Sequence, residues 1–256
     1  MKSLFAFMKK EWMEQVRSGR VILLGIIFVL LGIMNPAVAK LTPWMMEVLS
    51  ESLEQTGMLL TAVKVDAMSS WTQFYKNIPI GLIAFVLMQS SIFTKEYQTG
   101  TLVLTLTKGL ERYKVVVAKT AVLFSLWSFY YWVCFGITYC YNDVFWDNGI
   151  ARHLGFAAMC WWLAGVLVVL FLVLFSTLMN TNTAVLTCTG GGFLGMYIIG
   201  LFPSVKEYTP AMLIGSSALL TGAAQASLYT KALAVTICLC VTLMAVSIPF
   251  MNKRKM

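Results

Sequence analysis

The chain has 256 residues, of which 59% are hydrophobic and 12% are charged, and its formal net charge is +8. A soluble domain is roughly half apolar and about a quarter charged, so these values exclude an ordinary soluble domain. They predict a single integral membrane domain over residues 1–256. In such a protein an excess of lysine and arginine is typical of cytoplasmic loops, so no nucleic-acid partner is expected.

The first predicted element is an amphipathic helix over residues 2–20 that lies flat at the membrane surface. Apolar residues at three- and four-residue steps share one face of this helix: Phe5, Met8, Trp12 and Val16. Charged residues, including Arg17, occupy the other face. An apolar face toward acyl chains and a basic face toward headgroups are typical of an interfacial helix, so membrane lipid is a predicted partner. A solvated leader packed on a partner protein is the alternative.

Six apolar segments are long enough to cross the hydrocarbon core, which takes about 20 helical residues. They cover residues 21–39, 77–93, 113–139, 153–179, 183–202 and 231–250. Asn35-Pro36 predicts a kink or an end in the first span, because proline removes a helix hydrogen bond. Gly191 and Gly195 give the fifth span a small-residue packing face. The predicted fold class is an all-α integral membrane protein with six transmembrane helices.

The segments between the spans give three further predictions. Residues 40–76, flanked by Trp44 and Trp71 as interfacial anchors, predict one or two amphipathic helices on the extracytoplasmic side, or else a loosely ordered loop. Residues 203–230 hold a short apolar run broken by glycine, which predicts a re-entrant or interfacial pair of short helices. Residues 94–119 hold seven charged residues and are expected to lie in water.

The distribution of basic residues predicts the orientation. Six spans place both termini on one side, and that side then holds thirteen lysine and arginine residues against six on the other. Basic residues concentrate in cytoplasmic loops. The sequence therefore predicts a multi-pass protein of the cell membrane with both termini and residues 94–119 in the cytoplasm.

Chemistry-bearing side chains are few. His153 is the single histidine and lies at a predicted membrane edge, so it is interpreted as an interfacial side chain and not as a metal ligand. The six cysteines fall in or beside apolar runs and form no C-x-x-C pair. The sequence has no Walker A motif either. We expect no catalytic residues, no metal site and no enzyme activity in this chain.

The segment between the second and third spans has the pattern of a short helix between two hinges. Gly100 provides a bend, Thr101 is a candidate N-cap, and Lys108-Gly109 provides a second break before Arg112. A short rigid helix joined to two spans can transmit a push to both of them.

This segment resembles a known family. Glu96, Gly100-Thr101-Leu102, Arg112 and Lys119 match the E-x-x-x-G-T-L…R-x-x…K pattern of type-2 permeases of ATP-binding cassette (ABC) exporters. The basic leader, the six spans and the broken segment before the last span are also similar to that family. The resemblance covers essentially the whole chain, and the chain is expected to differ from the large members of the family in lacking a fused ATPase domain.

The resemblance implies a permease subunit that works with a separate cytoplasmic ABC ATPase and with a second permease subunit, identical or related. Residues 94–114 would form the cytoplasmic coupling loop, with Glu96, Tyr97, Gly100, Thr101 and Leu102 at the contact with the ATPase. The chain itself would hold no cofactor, since ATP and magnesium would bind to the ATPase. Phe5, Trp12 and Arg17 would belong to the interfacial helix. A membrane-bound interaction or sensor protein, and a membrane-embedded enzyme acting on lipid or peptide, are the alternatives.

Overall fold

The computed structural model describes residues 2–54, 65–107 and 109–253, and every regular element in these ranges is helical. The α-helices are α1 (Lys2–Arg17), α2 (Arg20–Glu54), α3 (Ala67–Gln89), α4 (Ser91–Gln98), α5 (Thr101–Thr107), α6 (Arg112–Phe145), α7 (Leu154–Leu178), α8 (Asn182–Ile199), α9 (Pro203–Lys206), α10 (Ala211–Ile214) and α11 (Ala226–Lys253). Short 3-10 turns cover Asn148–Ile150 and Gly215–Leu219. The predicted all-α class is confirmed.

Five helical stretches are long and apolar enough to cross a membrane. They are Arg20–Val48, Ala67–Gln98, Arg112–Phe145, Leu154–Leu178 and Ala226–Lys253. The fifth predicted span coincides with α8, which has only 18 residues, several of them glycine and threonine, and is not among these five. Length and composition therefore support a multi-pass helical membrane protein with five clear spans.

The first long helix continues past the point where the sequence predicts a kink or an end. α2 runs as one helix through Pro36 and Pro43 to Glu54. Pro36 cannot donate to the carbonyl of Gly32, but the hydroxyl of Thr138 on α6 donates to that carbonyl at 3.0 Å. A neighbouring helix thus supplies the missing hydrogen bond, which is how proline is tolerated within membrane helices.

The predicted extracytoplasmic segment, residues 40–76, is divided between two helices. α2 occupies it as far as Glu54, α3 begins at Ala67, and residues 55–64 lie outside the described residues. Asp66 caps α3 by accepting a hydrogen bond from the backbone N–H of Ser69 at 3.1 Å. The interpretation of Trp71 as an interfacial anchor is wrong, because this side chain is buried and donates to Asn148 Oδ1 at 3.1 Å. Trp44 is exposed.

The core lies around α6 and α7. Trp127 on α6 is fully buried, with its ring 6.1 Å from that of Phe28 and 5.7 Å from that of Phe85. Its indole N–H donates to the carbonyl of Trp162 on α7 at 3.1 Å. Gly165 on α7 lies against the Trp127 ring so closely that a Cβ atom there would be 2.1 Å from it. A glycine and a tryptophan therefore define the contact between α6 and α7.

A buried polar network connects α2, α3 and α6. Asn35 on α2 donates to Thr138 Oγ1 at 3.1 Å and accepts a hydrogen bond from Asn77 on α3 at 2.9 Å. Gly32 and Gly81 allow close approach beside this network, since a Cβ atom on either would have a neighbour at about 3.0 to 3.1 Å. Small residues and interhelical hydrogen bonds are the usual means of packing membrane helices.

The segment before the last long helix consists of short helical turns, and its predicted re-entrant or interfacial placement stays a prediction. Trp161 on α7 donates to the carbonyl of Ile214 at 3.0 Å, and Ser216 donates to the carbonyl of Ala157 at 3.1 Å. Tyr229 at the start of α11 donates to the carbonyl of Gly215 at 3.1 Å. These bonds hold α10 and the 3-10 turn after it against α7 and α11.

Candidate functional site

The predicted short helix is present between two glycine bends. α5 covers Thr101–Thr107, and the glycines that flank it, Gly100 and Gly109, have φ angles of 66° and 86°. Positive φ angles are readily adopted by glycine and strained for other residues, so these bends require the glycines. Thr101 is the first residue of the helix and Gly100 occupies the capping position, one residue earlier than predicted. Lys108 lies outside the described residues.

The outer face of α5 is available for contact. Thr101 and Gly100 are exposed, and Val103 is 45% exposed. Leu102 is buried and anchors the helix to the bundle. Because short bends connect α5 to α4 on one side and to α6 on the other, a force on its exposed face acts on both of these helices at once.

Residues 94–119 do not lie wholly in water, which corrects the sequence-based expectation. Glu96 is only 5% exposed and Lys119 is 1% exposed. Glu96 was assigned by resemblance to the contact with an ATPase, but its carboxylate points into the protein. Tyr97 is half-buried beside it, and its hydroxyl contacts the sulfur of Met251 at 3.6 Å. Of the five residues assigned to the coupling contact, Gly100 and Thr101 are exposed, Tyr97 is half-buried, and Glu96 and Leu102 are buried.

Glu96 and Lys119 form a buried charge cluster together with the first helix. The ammonium group of Lys119 lies 2.7 Å from Glu11 on α1 and 3.0 Å from Glu96 on α4, and it donates to the carbonyl of Ile92 at 2.8 Å. Lys10 pairs with Glu11 at 3.0 Å and also with Glu96. This cluster, defined as Lys10, Glu11, Glu96 and Lys119, connects α1, α4 and α6.

The electrostatics of the cluster follow from its balanced charges. Burial alone would lower the pKa of Lys10, but hydrogen bonds and attraction from Glu96 and Glu11 outweigh burial and hold that pKa above its usual value. Lys10 therefore stays charged throughout the physiological range. The rings of Phe7 and Phe93 lie 5.8 Å and 5.4 Å from the Lys119 ammonium group and form cation–π contacts with it.

Three carboxylates of this region, those of Glu11, Glu14 and Glu96, approach each other closely enough to hold a cation. Lys10 lies among them, 3.4 Å from Glu14, and Lys119 contacts the other two. These ammonium groups supply the positive charge that a metal ion would otherwise supply. We therefore interpret the three carboxylates as part of an ion-pair cluster and not as a metal site.

The first helix has two distinct faces. Its inner face contacts the bundle through Glu11 and Gln15, and Gln15 accepts a hydrogen bond from Gln89 at 3.2 Å. Phe5, Trp12 and Val16 of the predicted apolar face are exposed, as is Arg17, whereas Met8 of that face is half-buried and packs against the core. Phe5 is 66% exposed. The exposed apolar face has the chemistry of a lipid contact, and its role at the membrane stays a prediction.

Sequence reasoning missed the contribution of α1 to this cluster. Glu11 and Gln15 are four residues apart and therefore share one face of α1, which indicates a polar inner face. Lys119 lies several residues inside a predicted span, and a charge at such a depth normally has a partner. Neither sign identifies the partner, because Lys119 and Glu11 are separated by 108 positions in the chain.

The long apolar helices define a multi-pass membrane protein, with an exposed short helix and a buried charge cluster at one end. The part of the chain that the structure describes shows no evident catalytic centre. The family model for "ABC-2 family transporter protein" matches residues 5–204, which is most of the chain. The chain belongs to this family and is a type-2 ABC permease. No curated protein matches it.

Proposed function

We propose that this chain is the membrane-spanning subunit of an ABC exporter that uses ATP hydrolysed by a separate cytoplasmic subunit. The observation that carries the proposal is the exposed helix α5, held between two glycine bends and connected to α4 and α6, in a chain of the ABC-2 family. α5 is the coupling helix in this account, and its face around Thr101 and Val103 contacts the ATPase. The buried charge cluster then carries the push from α4 and α6 to α1.

In this account α8 is the sixth span. An 18-residue helix is about 27 Å long, close to the hydrocarbon thickness of about 30 Å. Counting it places both termini on the side that holds α5, and the excess of basic residues makes that side the cytoplasm. The short helices α9 and α10 then lie at the extracytoplasmic ends of α8 and α11, as a re-entrant or interfacial segment.

Labelling by a membrane-impermeant maleimide tests this orientation. In a cysteine-free background, Val103→Cys is expected to react only after the membrane is opened, because α5 is cytoplasmic. Ser204→Cys, which is exposed at α9, is expected to react in intact cells. Reaction of Val103→Cys in intact cells would reverse the assigned orientation.

An apolar cavity supports a cargo with apolar character. It has a volume of about 250 Å³ and lies between α3, α7 and α8, with Pro79, Trp161, Thr189 and Phe193 among its lining residues. Apolar clefts of this kind suit an acyl chain or an apolar side chain. We propose an apolar or amphipathic substrate such as a lipid, peptide or drug. A second copy of this chain, or a related permease, would complete the transport path.

The glycine bend at Gly100 provides a test of coupling. In the complex reconstituted with its ATPase, Gly100→Val is expected to lower permease-dependent ATP hydrolysis about tenfold, because valine resists the φ angle of 66° and tilts α5. The matched control is Gly136→Val in α6, which has open space around it and an ordinary helical conformation. Equal hydrolysis in both variants would remove α5 from the coupling mechanism.

The two alternative functions, a sensor without transport and a membrane-embedded enzyme, have less support. A sensor without transport has no use for a partner ATPase, so permease-dependent ATP hydrolysis stimulated by cargo would argue against it. A membrane-embedded enzyme needs catalytic groups at one depth, and the buried charges of the described residues are occupied in ion pairs with one another.

A further inference from the structure

A second and larger cavity lies at the end of the bundle opposite α5. It has a volume of about 640 Å³ and is lined by the last turn of α8, by α9, by α10 and the 3-10 turn after it, and by the first turn of α11. Its lining includes Tyr197, Leu201, Lys206, Met212, Gly215 and Tyr229. It is separate from the apolar cavity between α3, α7 and α8 and from the buried charge cluster, and no transport step described above uses it.

The cavity combines an apolar wall with one available positive charge. The neighbouring charges Glu207 and Lys231 pair with each other at 3.0 Å. Lys206 forms no ion pair with any carboxylate of the described residues, so its charge is available at the cavity. An apolar wall with a single cation beside it is complementary to an amphipathic anion.

The position of the cavity selects the kind of anion. It lies beside the first turn of α11, a helix long and apolar enough to cross the membrane, and the end of such a helix is expected where headgroups meet acyl chains. Exposed apolar side chains lie at and just after the end of α8, namely Ile198, Leu201 and Phe202, and Leu201 lines the cavity. Tyr197 is exposed there as well, and tyrosine is enriched at this depth.

We propose that this cavity binds an anionic membrane phospholipid of the extracytoplasmic leaflet. Lys206 contacts the phosphate, and an acyl chain occupies the apolar part beside Met212 and Gly215. The choice of leaflet rests on the orientation given in the proposed function, but the binding itself does not. The site holds a lipid at the joint between α8 and the short helices, where it supports the contacts of α10 with α7.

The test measures lipid retained by the full purified chain, without the ATPase. The purified chain is exchanged into nanodiscs of phosphatidylglycerol or of phosphatidylcholine. Native mass spectrometry then releases the protein into the gas phase and counts the lipid molecules that stay bound to it. One phosphatidylglycerol per chain is expected to be retained, and phosphatidylcholine is not. Lys206→Met is expected to reduce retention about fivefold, as for the loss of one lysine at a membrane surface.

Two further variants make the test specific. Lys76→Met removes one positive charge from an exposed position on α3, outside the cavity lining, and is expected to leave retention unchanged. Gly215→Leu fills the cavity, because open space surrounds this glycine, whereas Gly155→Leu adds the same bulk at an open position outside it. Gly215→Leu is expected to lower retention and Gly155→Leu is not. A common thermal unfolding midpoint shows that the variants are folded.

Equal retention of both lipids, or equal effects of Lys206→Met and Lys76→Met, would overturn the proposal. Retention that is lost in Lys206→Met but kept in Gly215→Leu would overturn the acyl-chain assignment, because a headgroup or free phosphate alone then accounts for binding. These results are independent of transport. The permease function fails if no ATPase couples to the chain, whatever the lipid measurement shows.

Discussion

Lys119→Met is expected to have the largest effect on stability, through the loss of a buried positive charge. The substitution leaves Glu11 and Glu96 buried with only Lys10 to neutralise them. Removing one partner of a buried ion pair costs about 3–5 kcal/mol, because an uncompensated charge remains out of water. The measurement is the midpoint of thermal unfolding of the purified chain in detergent, followed by tryptophan fluorescence.

The matched control lies on the same helix. Lys114 pairs with Glu111 at 3.2 Å, and the Glu111 side chain is more than half exposed, so Lys114→Met is expected to change stability little. The double variant Glu11→Gln with Lys119→Met leaves one buried carboxylate beside Lys10 and is expected to regain part of the loss. If Lys119→Met unfolds at the same temperature as Lys114→Met, the cluster does not hold the three helices together.

Gly165→Ala is expected to have the second-largest effect, through packing. A Cβ atom at this position would lie 2.1 Å from one ring carbon of Trp127 and 2.7 Å from its indole nitrogen. Trp127 is held by the surrounding aromatic rings and by its hydrogen bond to Trp162, so the ring cannot move aside freely. Forcing extra atoms into such a core costs about 1–3 kcal/mol. The same unfolding measurement checks this loss.

Two comparisons separate overpacking from a general effect of replacing glycine. Gly136→Ala in α6 adds the same methyl group in open space and is expected to be neutral or slightly stabilising, because alanine favours a helix. Trp127→Phe with Gly165→Ala is expected to be more stable than the sum of the single losses, since the smaller ring makes room for the methyl group. Strictly additive losses would show that Gly165 and Trp127 are not coupled.

Local pattern was sufficient to predict much of the fold. Apolar segments of about 20 residues predicted the long helices, and the glycines at positions 100 and 109 predicted the two bends that bound α5. The broken apolar run between residues 203 and 230 predicted short helices. Each of these features depends on residues close together in the chain, so the sequence alone contains the relevant information.

Features that depend on distant partners were not predictable in this way. The continuation of α2 through Pro36 depends on the hydroxyl of Thr138, which satisfies the carbonyl that proline leaves free. Trp71 is buried because Asn148 accepts its hydrogen bond inside the bundle. The buried positions of Glu96 and Lys119 depend on Glu11 in the first helix. Such pairings follow from tertiary packing, which a single sequence does not specify.

The most direct test of the central claim is a pull-down of the tagged full chain from its native membrane in mild detergent, with the co-purifying proteins identified and quantified. We expect an ABC ATPase in stoichiometric amount. Val103→Glu, which places a charge on the exposed face of α5, is expected to lose the ATPase and to retain the second permease subunit. Absence of any ATPase from the wild-type sample under several gentle conditions would contradict the account, and α5 would then be an ordinary cytoplasmic helix.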